Sequence, residues 1–219
     1  MIRVRDKNAG ALLIGETDVS CVFYQGEVVW KKNSTQYVFT ESGSIDIPTY
    51  AVFVDLVLVG GGASGRTGNG GSGSPGIGGK AGQWVGVTLE RGVELPWSTK
   101  SMMVTVGAGG TFPANSNDAG PTLGSPSAVS LAGVSSIVAL GGQGHRGDGI
   151  PVKQAGEDAG DFDWEGQRYI GGKGGTSSNG WYGLAPGGGG AGGNGGFLDQ
   201  KVRGWPGGRG QVWVKFRSY

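Results

Sequence analysis

Residues 62–82 read GASGRTGNGGSGSPGIGGKAG, and glycine recurs in this stretch at every third position. Gly62 begins one phase of the repeat, and Gly73 begins a second phase after a slip of two residues. A polyproline II helix has three residues per turn, so this spacing lines one edge of an extended segment with bare backbone. Another backbone can approach such an edge closely. The glycines in phase are Gly62, Gly65, Gly68 and Gly71, then Gly73, Gly76, Gly79 and Gly82, and later Gly141, Gly144 and Gly147, Gly187, Gly190, Gly193 and Gly196, and Gly204, Gly207 and Gly210.

Glycine makes up 50 of the 219 residues, yet the composition argues against collagen, disorder and flexible linkers. Collagen needs an unbroken register and abundant proline, whereas this register slips repeatedly and there are 9 prolines. Disordered chains carry few aromatic residues, but this one has 7 Trp, 6 Tyr and 7 Phe. Flexible linkers need no three-residue period. We therefore predict packed polyproline II-like segments, with residues such as Arg66, Asn69 and Lys80 facing outward.

Short runs rich in β-branched and aromatic residues predict strands on either side of the glycine blocks. No segment has an apolar stripe at helical spacing, so we expect very little helix. The fold class is mainly β: a small N-terminal meander, residues 1–33, precedes a β framework carrying packed Gly-rich loops, residues 34–219. The predicted strands of the second region are Tyr37–Thr40, Ser44–Ile47, Ala51–Val59, Gln83–Leu89, Met102–Val106, Ala128–Leu131, Ser136–Leu140 and Gln211–Phe216.

The N-terminal region contains two similar units, Ile14–Val19 and Gln25–Trp30, each joining a turn to a strand. Val22–Tyr24 between them has a third strand-like pattern, so the region reads as a small hairpin or meander. Three short strands are at best marginally stable alone. We therefore predict that residues 1–33 attach the chain to sister copies or to a larger assembly.

Motifs that resemble catalytic or metal sites lack the residues that their chemistry needs. Val54–Val59 runs into a G-x-G-x-x-G spacing at Gly60–Gly65, but no helix-forming sequence follows to hold a pyrophosphate. His145 is the only histidine and has no nucleophile pattern near it. The acidic segment 157–165 lacks the closing glutamate of a calcium loop, so its sequence favours a solvated turn. Whether this segment binds a divalent ion stays open. We expect no enzymatic activity, no catalytic residues, no cofactor and no metal ligands.

Charge and cysteine content restrict the partners and the compartment. The net charge is +1, which gives no electrostatic reason to expect nucleic acid. Cys21 is the single cysteine, so no internal disulfide can form, as expected for assembly in a reducing cytoplasm. The charged N-terminus is not a signal peptide, and no apolar run approaches the ~20 residues that span a bilayer.

Five aromatic residues of the glycine-rich C-terminal half lie mostly in loop-like sequence, which makes them candidate binding residues. Their rings offer apolar faces with polar handles, suited to sugar rings or to protein hot spots. The alternative is that they cover the glycine segments as a local core, since glycine has no side chain that excludes water. Both interpretations stay open for Trp164, Tyr169, Trp181, Tyr182 and Trp205.

The order of these elements resembles a known protein family. The matching features are Phe39–Ser44, the strand ending Leu58–Gly62, the run Val104–Gly110 and the block Pro186–Gly193. They resemble the glycine-rich domain of bacteriophage tail proteins, and are most similar to minor tail proteins of phages of actinobacteria such as mycobacteria. The resemblance covers about residues 34–219, and the Gly26–Trp30 unit is similar to short N-terminal repeats in those proteins.

The resemblance implies a virion protein at the tail tip that contacts a cell-surface glycan or protein of the host, often as a homotrimer. Residues 1–33 would then join it to other tail proteins. The family defines no fixed catalytic set. Two alternatives stay open: a structural tail component without receptor contact, and an ice-binding or matrix protein built from polyproline II helices. The latter predicts a flat, regular outward face, whereas the residues expected to face outward here, including Arg66, Ile77 and Trp205, are chemically mixed.

Overall fold

A computed structural model describes residues 13–14, 17–19, 21–147 and 154–219 of the chain. The fold is mainly β, as predicted, and the described residues contain one helical turn, a 3-10 turn at Ser177–Asn179. Every strand predicted for residues 34–219 is present, with bounds that shift by one or two residues. The strands are β1 (Leu13–Ile14), β2 (Thr17–Asp18), β3 (Cys21–Tyr24), β4 (Glu27–Lys31), β5 (Thr35–Phe39), β6 (Gly43–Asp46), β7 (Phe53–Val59), β8 (Trp84–Glu90), β9 (Ser101–Thr105), β10 (Ser127–Leu131), β11 (Val134–Ala139), β12 (Phe162–Trp164), β13 (Gln167–Tyr169) and β14 (Gln211–Arg217).

The N-terminal region forms two separate antiparallel strand pairs, β1–β2 and the hairpin β3–β4, where the sequence suggested a small hairpin or meander. A two-residue turn explains the hairpin β3–β4, because Gln25 and Gly26 both have positive φ, 53° and 86°. Such turns match the twist of paired strands. Residues 1–12 lie outside the described part, and the boundary between residues 33 and 34 stays a prediction.

Two four-stranded antiparallel sheets form a sandwich around the main hydrophobic core. The strand order is β5-β14-β7-β8 in the first sheet and β11-β10-β9-β6 in the second. Alternation in β7 and β14 directs one set of side chains from each strand inward, and β9 and β10 supply the facing layer. The fully buried members of this core include Val54, Leu56, Leu58, Met102, Val104, Val129, Val212, Val214 and Phe216.

The other face of the first sheet is covered by the hairpin β12–β13, which the sequence interpretation missed. Val57, Val59 and Trp213 from the sheet pack against Tyr169, with Phe162 and Trp164 at the margin. This explains why all residues of β7 after Phe53 are buried, because both faces of the strand are covered. The turn Glu165–Gly166 has positive φ at both positions, 46° and 69°, as in the N-terminal hairpin.

The glycine blocks leave the sandwich at strand ends and pack into a bundle, which we define as residues 60–83, 107–125, 140–147, 154–160, 171–196 and 200–210. At its centre, each amide from Gly60 to Asn69 donates to a carbonyl of a neighbouring segment, at 2.8–3.1 Å. Successive amides donate to three different neighbouring segments in turn, because a polyproline II helix has three residues per turn. The pairs are Gly60–Gln83, Ala63–Lys80, Arg66–Ile77 and Asn69–Ser74; Gly61–Ser125, Ser64–Thr122 and Thr67–Ala119; and Gly62–Gly208, Gly65–Trp205 and Gly68–Val202.

A fourth neighbour, residues 187–196, uses the carbonyl groups of the same central segment. Gly190 and Gly193 donate to the carbonyls of Ala63 and Arg66, again three residues apart. Packed segments with hydrogen bonds between neighbours, rather than flexible linkers, therefore account for the repeat. The backbone groups that polyproline II geometry cannot pair internally find partners in adjacent segments.

Most of the in-phase glycines are required because a side chain would collide with backbone. A Cβ built at Gly65 would lie 1.9 Å from the Ala191 carbonyl oxygen, and one at Gly68 would lie 2.2 Å from that of Asn194. The later blocks behave alike, with 1.8 Å between a Cβ at Gly193 and the Val202 oxygen. Real Cβ atoms essentially never approach another atom so closely. The three-residue period thus records close contact between backbones.

Five positions depart from the pattern expected for the bundle. Gly71 and Gly73 lie at the turn where the chain reverses, so they face no neighbouring backbone. Gly144 and Gly147 have open space where a Cβ would stand. Ile77, expected to face outward, is buried at 6% exposure, whereas Lys80 is exposed and Arg66 and Asn69 are half-buried.

Candidate binding surface

Trp164 and Tyr169, for which the sequence leaves a binding and a covering role open, lie at the second hydrophobic core: Tyr169 is buried in it, and Trp164 packs against it half-buried. Both lie in the hairpin β12–β13, and Tyr169 is 4% exposed with its ring 5.2 Å from that of Trp213. Trp164 lies over Gly86 of β8, where a Cβ would be 2.5 Å from the indole. Burial raises the pKa of the Tyr169 phenol, and the Asp55 carboxylate adds to the rise. The packing of these two residues is what the covering role requires, and a binding role for them stays a prediction.

Trp181 is half-buried, and its backbone serves the bundle. Its amide donates to Thr176 and its carbonyl accepts from Ala191, at 2.8 and 2.9 Å. Its φ is +73°, and it follows Gly180, the left-handed residue that ends the preceding 3-10 turn. The backbone contacts of Trp181 therefore have a structural role, and the next residue, Tyr182, reaches the surface.

Tyr182 and Trp205 meet Phe112 in an exposed cluster, which we call the aromatic platform. The ring centroids of Tyr182 and Trp205 are 5.1 Å apart, and Phe112 lies 6.1 Å from Tyr182 and 6.0 Å from Trp205. These distances are typical of favourable edge-to-face pairs. Phe112 and Tyr182 are 40% and 44% exposed, while Trp205 is half-buried between them and the bundle. The platform therefore offers ring surface to solvent.

Arg203 adds a positive charge to the platform. Its guanidinium carbon lies 5.3 Å from the centroid of the Phe112 ring, within cation–π range. Nε donates to the Pro113 carbonyl at 2.6 Å, and Nη2 donates to the Phe112 carbonyl at 3.2 Å. The Arg203 side chain is thus fixed against the loop that carries Phe112. The platform therefore combines apolar ring faces with a positively charged guanidinium group.

Bundle hydrogen bonds hold the three segments of the platform together. The Gly207 amide donates to the Gly110 carbonyl at 2.9 Å, which joins the Trp205 segment to the Phe112 loop. The Gly183 amide donates to the Pro206 carbonyl at 2.9 Å, which joins it to the Tyr182 segment. The rings therefore project from a backbone whose relative position is fixed before any ligand arrives.

Sequence interpretation found Tyr182 and Trp205 but missed Phe112 and Arg203. Phe112 follows Val104–Gly110 in a stretch without strand or aromatic pattern, so nothing local marks it. Its partners come from segments far away in sequence; the Arg203–Pro113 bond spans 90 residues. A sequence signal did exist for the hairpin that buries Trp164 and Tyr169. Glu165–Gly166 between two short alternating runs is a hairpin turn signature.

The carboxylates of the acidic segment 157–165 bind neighbouring parts of the protein. Asp158 accepts from the Gly174 amide at 2.7 Å and pairs with Lys173 at 3.0 Å. Asp161 pairs with Arg168 at 2.8 Å. The pKa of Asp158 is lowered, chiefly by the Gly174 amide, and that of Asp161 is lowered chiefly by Arg168. Within the described residues, no three His, Cys, Asp or Glu side chains are grouped to hold a metal ion.

The other motifs also take structural places. After the strand β7, the G-x-G-x-x-G spacing at Gly60–Gly65 continues as the extended centre of the bundle, where a dinucleotide site needs a helix. His145 is half-buried, and its ring nitrogen Nδ1 lies 2.7 Å from the Arg146 carbonyl oxygen. Among the described residues, no helix is long and apolar enough to cross a membrane.

Comparison with known proteins places the chain in a family. Residues 38–217 match the family model described as a glycine-rich domain, so the chain belongs to this family. It is 40% identical over 141 residues to the Gene 32 protein of Mycobacterium phage L5, covering 63% of this chain and 63% of that protein. It is 34% identical over 172 residues to the Gene 32 protein of Mycobacterium phage D29, covering 77% and 76% respectively. The chain is a phage protein, which confirms that part of the sequence resemblance.

Proposed function

We propose that this phage protein is a minor tail protein at the tail tip of the virion, where it binds the host cell surface without catalysing a reaction. The observation that carries the proposal is the aromatic platform on the glycine bundle. Tyr182, Trp205 and Arg203 are residue types that dominate binding energy when a partner covers them, and Phe112 adds exposed apolar surface.

The bundle supports this role because it presents the rings on a stiff base. The hydrogen bonds from Gly207 to Gly110 and from Gly183 to Pro206 join the three platform segments, so a bound molecule need not order them. Preorganisation of this kind improves affinity by reducing the entropy lost on association. The similarity to Gene 32 proteins of two mycobacteriophages makes a mycobacterial surface the first one to test.

We further propose that residues 1–33 join the protein to other tail proteins and that the protein acts as a homotrimer. Isolated two-stranded hairpins are marginal in water, and β3–β4 exposes Phe23 and Tyr24 at 54% and 65%. A neighbouring copy or tail protein would cover these rings. Light scattering of the purified full chain tests the trimer: a mass of one 22.2 kDa chain at micromolar concentration would contradict it.

Binding of the fluorescently labelled full chain to a panel of mycobacterial strains, with plaque inhibition on each strain that binds, tests the function. We expect saturable binding that blocks infection. A double variant, Tyr182→Ala with Trp205→Ala, should weaken binding by about tenfold or more. Tyr37→Ala is the matched control, because Tyr37 is 41% exposed but lies on the sandwich.

Two results would overturn parts of this proposal separately. If the folded protein binds no strain that the phage infects, it is a structural tail component. If it binds but the platform variant binds equally well, host recognition stands and the platform is not the contact. Circular dichroism of each variant must match that of the parent protein for either result to count.

A further inference from the structure

A polar cleft lies where the glycine bundle meets the start of β8, apart from the residues of the aromatic platform. Its volume is about 360 Å3, near the lower end of ligand-sized pockets. Three stretches of chain form its walls: residues 80–83, Gln143 and residues 157–159.

The cleft combines hydrogen-bond donors and acceptors with little net charge. Gln83 and Gln143 each offer a side-chain amide that both donates and accepts, and Lys80 offers a donor. Gln143 Nε2 gives one of its two hydrogens to the Gly141 carbonyl at 3.1 Å, which leaves the second hydrogen and the amide oxygen for a ligand. Glu157 and Asp158 offer carboxylate oxygens, and Lys173 neutralises Asp158 at 3.0 Å. The charges of Lys80 and Glu157 balance. Such a lining suits a neutral ligand with many hydroxyl groups better than an anion or a cation.

The walls of the cleft are fixed to one another by backbone hydrogen bonds. The Gln83 amide donates to Leu140 at 2.9 Å, and the Lys80 amide donates to Gly144 at 3.1 Å. These two bonds bracket Gln143 and hold its segment against residues 80–83. Across the cleft, the Glu157 amide donates to the Gly79 carbonyl at 3.0 Å. The backbone positions from which the polar side chains project are therefore fixed.

The two carboxylates are also held in place. Glu157 Oε2 accepts from the Ala81 amide at 3.1 Å, which leaves Oε1 with no protein donor among the described residues. Asp158 Oδ1 accepts from the Gly174 amide at 2.7 Å. Beneath this wall, the Trp84 indole N–H donates to the Ala159 carbonyl at 2.9 Å and ties it to the second core. Fixed polar groups of this kind orient a small ligand.

We propose that this cleft is a binding site for a neutral saccharide, held by hydrogen bonds from the Gln83 and Gln143 amides and from Lys80 to its hydroxyl groups, with Glu157 accepting. It is a site additional to the aromatic platform. The proposal holds whether or not the platform contacts the host, because no platform residue lines the cleft.

Nuclear magnetic resonance of the full chain labelled with 15N tests the proposal. The probes are the methyl glycosides of glucose, mannose, galactose and arabinose, each titrated into the millimolar range. We expect at least one of them to shift the backbone amide signals of Ala81, Gly82 and Ala159 with saturation. The double variant Q83A/Q143A should raise the Kd of that glycoside by about tenfold or more, since two hydrogen-bonding amides are lost.

Two further variants serve as controls. Gln36→Ala removes an exposed glutamine on β5 of the sandwich and should leave the Kd unchanged. Tyr182→Ala should also leave it unchanged, which separates failure of the cleft from failure of the platform. Absence of saturable shifts at Ala81, Gly82 and Ala159 with all four glycosides would overturn the proposal. An unaltered Kd in Q83A/Q143A, with the bundle amide signals in place, would overturn it as well.

Discussion

The sandwich and the glycine bundle of this chain have opposite kinds of interior. In the sandwich, large side chains such as Leu56 and Phe216 fill the space between two sheets, and the backbone hydrogen bonds of the strands join neighbours within each sheet. In the bundle, backbone fills the interior, and hydrogen bonds join each segment to several neighbours. Stability in the first region depends on atoms that side chains supply. Stability in the second region depends on the absence of Cβ atoms at glycine, because only bare backbone lets the segments pack this closely.

The largest effect that we predict is in the sandwich. Phe216→Ala removes a fully buried ring, and we expect it to lower the free energy of unfolding by about 3–5 kcal/mol, as for other buried aromatic truncations. Urea denaturation followed by circular dichroism measures this. A loss below about 1 kcal/mol would mean that the two sheets do not enclose a tightly packed core.

The bundle should respond to an added methyl group where the sandwich responds to a deleted side chain. Gly65→Ala would place a Cβ 1.9 Å from the Ala191 carbonyl oxygen, with backbone on both sides of the contact. We expect a loss of about 3 kcal/mol in the free energy of unfolding, at the upper end of overpacking costs. The same denaturation experiment applies, with soluble yield as a second readout.

Gly120→Ala is the matched control for the bundle. Nothing lies within 4 Å of a Cβ at Gly120, and its φ is not in the left-handed region. The free energy of unfolding should therefore stay constant or rise by about 0.4–1 kcal/mol, because alanine restricts the unfolded chain. Equal losses for Gly65→Ala and Gly120→Ala would contradict the distinction between packed and open glycines.

The two regions also differed in how far sequence predicted them. Short runs rich in β-branched and aromatic residues located each strand of the sandwich, including β7, which is buried on both faces. The three-residue period predicted the bundle, because a requirement for bare backbone leaves a glycine at each contact. Neither pattern encodes which segment is the neighbour. The pairing of Gly65 with Trp205, for instance, depends on the whole assembly.

The candidate site was harder to predict than the fold for the same reason. Tyr182 and Trp205 stood out as aromatic residues in loop-like sequence, but so did Trp164 and Tyr169, which are covered by the second core. Loop-like sequence does not distinguish an exposed ring from one that shields glycine backbone. Phe112 joins the platform only because the bundle brings its loop beside the other two rings.

The smallest effect that we predict is the pH dependence of stability that arises from Asp158 and Asp161. The pKa values of Asp158 and Asp161 are lowered in the folded protein, so their stabilising contribution is complete above the ordinary carboxylate pKa of about 3.9. It is lost as pH falls through their folded pKa values. The urea midpoint should therefore stay level, as far as these groups are concerned, from pH 7 to about 5 and decline below about 4.

The double variant D158N/D161N tests the origin of this decline. It should reduce the slope of the urea midpoint against pH at the acid end, because the titrating groups are gone. The remaining slope belongs to the other carboxylates of the chain. An acid decline identical to that of the parent protein would show that these two aspartates do not contribute.

Native-state amide hydrogen exchange tests most directly the claim that backbone-to-backbone hydrogen bonds build the bundle. Each amide from Gly60 to Asn69 donates to a neighbouring segment in the folded protein, in rotation among three neighbours. We predict that these amides exchange as slowly as those of Val54 to Val59 in the sandwich, and that no set of amides three residues apart exchanges faster than the others. Exchange of Gly60 to Asn69 at rates of an unfolded chain, while β7 stays protected, would contradict the account and make the glycine blocks flexible linkers.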